Sequence, residues 1–174
     1  MKRIDLEHII RAAGTIAQVK QLIVIGSQSI LGKYPEADGV LATSMEADIY
    51  PPENLLMSDV IDGCIGELSP FHEQFGYYAQ GVGPETATLP EGWQGRLVKI
   101  CNENTNDIEG LCLHPLDLAV SKLVAFREKD KLFIKELLDK EYVKYDKIIH
   151  LIRKLEVANQ DLIIQRLDAI QQLK

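Results

Sequence analysis

The sequence predicts an α/β protein: a mixed sheet flanked by helices, followed by a helical C-terminal region. Three observations carry this reading. The apolar run Leu22-Ile23-Val24-Ile25 stops abruptly at Gly26-Ser27, the pattern of a buried strand that turns into a helix. Short strand-like runs then alternate with turn signals as far as residue 114. From Pro115 onward the apolar positions recur with helical spacing and without turn glycines. The expected division is therefore an α/β core over residues 1–114 and a helical region over 115–174 packed on it.

Residues 4–19 place Leu6, Ile9, Ile10, Ala13, Ile16 and Ala17 on one face, so a helix precedes the first strand. Gly26 permits a tight turn after that strand, and Ser27 is expected to cap a short helix over 28–33. Pro, Asp and Gly residues mark 34–44 as a loop. A strand over 44–50 must end at Pro51-Pro52, which cannot continue a ladder. A helix is expected over 53–68 with Leu55, Leu56, Val60, Ile61 and Ile65 as its apolar residues, and Ser69-Pro70 suits the cap and first position of another. Strands follow at 77–82, 96–101 and 110–113, separated by turns or a functional loop at 83–85 and 89–92. Pro115 opens a helix that buries Leu116, Ala119, Val120, Leu123 and Val124, with further helices at 129–138, 144–155 and 160–173. The last two are amphipathic, and serve either to complete the core or to receive a partner.

The chain has 174 residues, 46% of them hydrophobic and 26% charged, which is the composition of a folded domain and not of a disordered one. No apolar run reaches the roughly 18 to 20 residues that cross a bilayer, so no membrane partner is expected. Acids within the first residues argue against a signal peptide, and a cytoplasmic location is the expectation. The three cysteines, Cys64, Cys101 and Cys112, lack paired spacing and read as reduced core residues. With 26 acidic and 19 basic residues the net charge is −7, which works against a broad basic surface for nucleic acid and limits any RNA contact to a small one.

Two motifs carry chemistry. The Gly26-Ser27 turn offers backbone N–H groups, the positive end of a helix and a hydroxyl, all suited to the phosphates of a nucleotide. Glu46 and Asp48 lie two apart in a strand, so both carboxylates leave the same face, as a divalent-metal site requires. Taken singly, each motif also fits an ordinary turn and a solvated strand end.

Together they resemble the signature of the nucleotidyltransferase superfamily, the polymerase-beta-like fold, in which an apolar strand and a Gly-Ser or Gly-Gly turn precede a pair of acids on the next strand. Two departures are visible: the first acid is Glu46 where the family usually has Asp, and the spacer 28–45 is longer than usual. The segment from His114 to Asp130 resembles the helix and basic cluster of AbiEii-type nucleotidyltransferases, toxin components of bacterial toxin–antitoxin systems. The resemblance implies a nucleotidyltransferase-like sheet and transfer of a nucleoside monophosphate from an NTP to an acceptor, with Mg²⁺ or Mn²⁺ as cofactor. Glu46 and Asp48 would hold the metal as the catalytic acids. Gly26, Ser27, Lys122 and Arg127 would meet the nucleotide, and Asp130 would orient the two cations. The acceptor is left open among RNA, protein and small molecule, and a cognate antitoxin is an implied partner. The next strand offers Gln80 in place of a third acid, with Glu85 the nearest substitute. This keeps a second expectation alive, a catalytically silent module that binds nucleotide and a partner protein. Arg127 with Asp130, and Glu128 with Lys131, are also spaced as the ion pairs of a solvated helix end.

Other candidates have plainer expectations. His72 is expected at a cap or on the surface, Tyr77 and Tyr78 point to opposite faces with one ring in the core, and Trp93 either anchors its loop or covers a base.

Overall fold

A computed structural model describes residues 1–173. The helix α1 (Arg3–Ala17) leads into β1 (Gln21–Val24), a single 3-10 turn at Ser27–Ser29 and the short α2 (Ile30–Lys33). Then come β2 (Glu46–Tyr50), α3 (Met57–Ile65), α4 (Pro70–Phe75), β3 (Tyr78–Gly81), β4 (Val98–Ile100) and β5 (Glu109–Cys112). Four helices follow among the described residues: α5 (Pro115–Ala125), α6 (Glu128–Asp139), α7 (Tyr145–Ile152) and α8 (Gln160–Gln171). The fold class is the expected one. No helix among the described residues is long and apolar enough to cross a membrane.

The five strands form one mixed sheet in the order β3-β2-β1-β5-β4. β1 is central because it is apolar on both faces: Leu22, Ile23 and Val24 are all buried. It pairs antiparallel with β2, Val24 opposite Ile49, and parallel with β5, Val24 opposite Cys112. β2 and β3 are parallel, with Glu46 beside Tyr78 and Asp48 beside Gln80. α1 lies across the sheet with Leu6, Ile9, Ile10 and Ala13 fully buried. It packs so closely on β5 that a Cβ at Gly110 would overlap the Ile10 side chain.

Several expectations are corrected by packing. The helix expected over 53–68 is confined to Met57–Ile65; Leu55 and Leu56 are 47% and 83% exposed in the preceding turn, and Val60 faces solvent. Residues 93–96 form a turn, so β4 begins only at Val98. Cys64 and Cys101 are exposed, and Cys112 alone is a core residue, its thiol pushed up to about 12 by burial. α4 is capped as expected, with the Ser69 hydroxyl accepting from the His72 N–H, Pro70 at the first position and Gly76 left-handed at the end. His72 holds its loop by accepting from the Leu68 N–H at 3.1 Å.

The C-terminal helices complete the core. Ile148, Leu151 and Ile152 of α7 and Ile163, Leu167 and Ile170 of α8 are buried in the same apolar cluster as the sheet residues. Arg166 of α8 donates to the carbonyls of Leu123 and Val124 at 2.9 and 2.8 Å, satisfying groups left open at the end of α5. The opposite end of α5 is tied to the sheet by Arg96, whose guanidinium forks onto Asp117 at 2.7 and 2.9 Å. Asp117 is fully buried, so Arg96 takes the place of water as its hydrogen-bond partner. Asp117→Ala, which strands Arg96 beside the core, is expected to cost about 3 kcal/mol of stability in chemical denaturation.

Candidate active site

The strands and helices converge on a cleft of ≈ 450 Å³ between the sheet and α5. Gly26, Ser27, Glu46, Asp48, Lys122 and Arg127 all line it. Asp130 sits fully buried behind the two cations. The structure thus brings together the seven residues expected to meet metal or nucleotide, Gly26, Ser27, Glu46, Asp48, Lys122, Arg127 and Asp130.

Gly26 is needed here for proximity. Its backbone is extended, with φ −77° and ψ −167°, a conformation open to any residue. A Cβ at this position would, however, overlap the Asp48 carboxylate. β1 and β2 are antiparallel neighbours, and the Ile25 N–H donates to the Asp48 carbonyl at 3.0 Å, so the turn after β1 is laid against the acids of β2. Ser27 does not cap the helix it opens: the side chain makes no cap bond, and its hydroxyl instead accepts from Lys122 Nζ at 2.9 Å. As the first residues of a 3-10 turn, Ser27 and Gln28 present N–H groups with no acceptor inside that turn.

Lys122 projects from α5 and is buried, with Nζ 2.9 Å from Asp130 Oδ1 and 4.4 Å from the centre of the Phe133 ring. Burial draws its pKa below the ordinary lysine value, against the pull of Asp130. Asp130 also accepts from the backbone N–H and Nε of Arg127, at 3.1 and 2.9 Å. Burial would raise the Asp130 pKa, but these bonds from Lys122 and Arg127 outweigh it and hold the carboxyl below its usual range. The Arg127–Asp130 and Glu128–Lys131 pairs expected of a helix end are both present. Only the second belongs to a solvated surface, because Asp130 is fully buried.

On the facing side, Asp48 is raised above its ordinary value, first by burial and then by its neighbour Glu46, with Lys122, Lys129 and Arg127 opposing. Two residues in this region were not among those the sequence marked for it. Tyr78 donates its hydroxyl to Glu46 Oε2 at 3.2 Å, and Lys129 stands 3.8 Å from Glu46 Oε1. Glu46, together with burial, pushes the Tyr78 pKa up to about 12, burial being the larger influence. Tyr78 could have been found only from the β2–β3 register. Lys129 lay inside the basic segment already recognised. Gln80 faces the cleft beside Asp48, while Glu85 and Trp93 are not among its lining residues. Thr86, Ala87 and Thr88 complete the wall.

The donor set fits one hard divalent ion. Glu46 and Asp48 offer carboxylate oxygens from one face of a strand, and their mutual repulsion is the kind a cation relieves. Among the described residues there is no cluster of three or more His, Cys, Asp or Glu side chains of the sort that would hold a metal by themselves.

With this geometry in hand, the chain belongs to the family described as nucleotidyltransferase of unknown function (DUF6036), whose model matches residues 3–169. A search of curated proteins and one of solved structures gave no match to the chain.

The raised Asp48 pKa has a sign that stability measurements can read. A carboxyl whose folded pKa lies above its unfolded one weakens the fold when ionised, so the penalty is present above the raised pKa and is lost as pH falls through it toward the unfolded value. Asp48→Asn is therefore expected to melt at a higher temperature than wild type at pH 7, with the gap closing near pH 4. Equal melting at both pH values would contradict the assigned environment.

Proposed function

We propose that the protein is an Mg²⁺- or Mn²⁺-dependent nucleotidyltransferase that moves a nucleoside monophosphate from an NTP to a hydroxyl acceptor. The observation that carries this is the division of one cleft into a cationic wall, Lys122 and Arg127 beside the Ser27 hydroxyl, and an acidic wall, Glu46 and Asp48. A triphosphate needs the first and a divalent ion the second. In the reaction the acceptor hydroxyl gives up its proton to solvent and its oxygen bonds to the α-phosphorus, in line with the bridging oxygen whose bond to that phosphorus breaks as pyrophosphate departs. Glu46 and Asp48 would hold the divalent ion, which when bound supplies positive charge to the phosphate oxygens.

The remaining roles fall to the chain's own groups. Lys122 presents a compact charge fixed by Asp130, and Arg127 a planar one with more freedom, its side chain being 63% exposed. Asp130 orients both cations without facing the cleft. The Ser27 hydroxyl and the turn N–H groups would receive the outer phosphates. The family description supports a nucleotide substrate. The acceptor is proposed only as a hydroxyl of RNA, protein or a small molecule.

At an NTP concentration a hundredfold its Kd, in the presence of Mg²⁺, the fold should gain about 2.7 kcal/mol, seen as a raised melting temperature. Asp48→Asn should lose transfer of label from NTP while staying folded. No NTP-dependent shift with either metal would remove the proposal.

Gln80, in register beside Asp48 where a third acid would stand, favours a second reading, a nucleotide-binding module without turnover. Binding of NTP with no transfer to any acceptor would select it. The Lys122, Arg127 and Asp130 arrangement supports the biological setting of the AbiEii-type toxins, with a cognate antitoxin as partner. In that setting, expression of the wild type should arrest bacterial growth and Asp48→Asn should not; unimpaired growth with the soluble wild-type protein present would argue for another role.

A further inference from the structure

The first acid of the pair is a glutamate, one methylene longer than aspartate and with one more rotatable bond to fix. Its carboxylate is nevertheless held at both oxygens. Tyr78 donates to Oε2 at 3.2 Å, and Lys129 lies 3.8 Å from Oε1. The two contacts differ in kind. Lys129 reaches in from the start of α6 with a side chain 64% exposed, so it is free to leave. Tyr78 is buried on the neighbouring strand, directly opposite Glu46 in the parallel register. Its ring is backed by His72 at 4.6 Å between centroids, and His72 is itself fixed by the Leu68 N–H. A chain of contacts therefore runs from the α4 cap through His72 and Tyr78 to one oxygen of Glu46.

We propose that Tyr78 is a positioning residue for metal binding, clamping Oε2 of Glu46 so that Oε1 is presented to the ion beside Asp48. This rests on the metal-site reading of Glu46 and Asp48 and goes beyond it. It gives the unusual acid a physical explanation: the longer side chain reaches the tyrosine of the next strand, and the hydroxyl removes the freedom that the extra methylene brings. Partners of this kind, bonded to a ligand and not to the ion, commonly set affinity by an order of magnitude.

The test is a double-mutant cycle on Mn²⁺ binding without nucleotide, read from the free-ion signal in electron paramagnetic resonance. Tyr78→Phe should raise the Kd for Mn²⁺ about tenfold while its melting temperature and circular dichroism stay close to wild type. In a Glu46→Asp background the shorter acid does not reach the hydroxyl, so adding Tyr78→Phe should change the Kd no further. Equal Kd values for wild type and Tyr78→Phe, or the same loss in both backgrounds, would overturn the clamp and leave the metal site standing. Failure of the wild type to bind Mn²⁺ at all would overturn the metal site and the clamp with it.

Discussion

The buried pair of Lys122 and Asp130 is the joint on which the site turns. An ammonium drawn out of water must keep a carboxylate partner, and a carboxylate at zero exposure must keep its donors. Asp130 has three donors from two residues, the Lys122 ammonium and the Nε and backbone N–H of Arg127. Lys122 in turn reaches the Ser27 hydroxyl beyond β1. Helices α5 and α6 are thus locked to the first turn of the sheet by polar contacts, in a region otherwise held by apolar packing. Sliding either helix would separate charges that have no water to fall back on.

The same dry setting accounts for the site's electrostatic tension. Burial works against ionisation of both Lys122 and Asp48, and Glu46 adds to the burden on Asp48. Such groups weaken the fold in its resting charge state, and they gather where a ligand of opposite sign can relieve them. The stabilising ion pair Arg96–Asp117 lies at the other end of α5, outside the cleft lining, and holds that helix against the sheet while its cleft-facing end carries the strain.

Much of this architecture was legible in the sequence, because its signals are local. The apolar run 22–25, the Pro115 helix start and the Ser69-Pro70 cap each write their structure within a few residues. The cleft residues Gly26, Ser27, Glu46 and Asp48 also fall within short local motifs, a turn and an acid pair, and so could be named from the sequence. What stayed hidden depends on who sits beside whom. Ser27 reads as a cap until Lys122 is seen to use its hydroxyl. Gly26 reads as a flexible turn residue until Asp48 is found against it. Tyr78 reads as packing until the parallel pairing sets it opposite Glu46. Leu55, Leu56 and Val60 fit a helical stripe, yet no element covers them.

The link between Ser27 and Lys122 spans 95 positions, and the strand beside β1 on its parallel edge comes from residues 109–112. A chain leaving the ribosome can join β1 to β2 early, while the other edge of β1 waits until residues 109–112 have been made. Translation that halts before residue 109 therefore yields a fragment with an open, apolar strand edge on β1 and without Lys122 and Arg127, prone to aggregate.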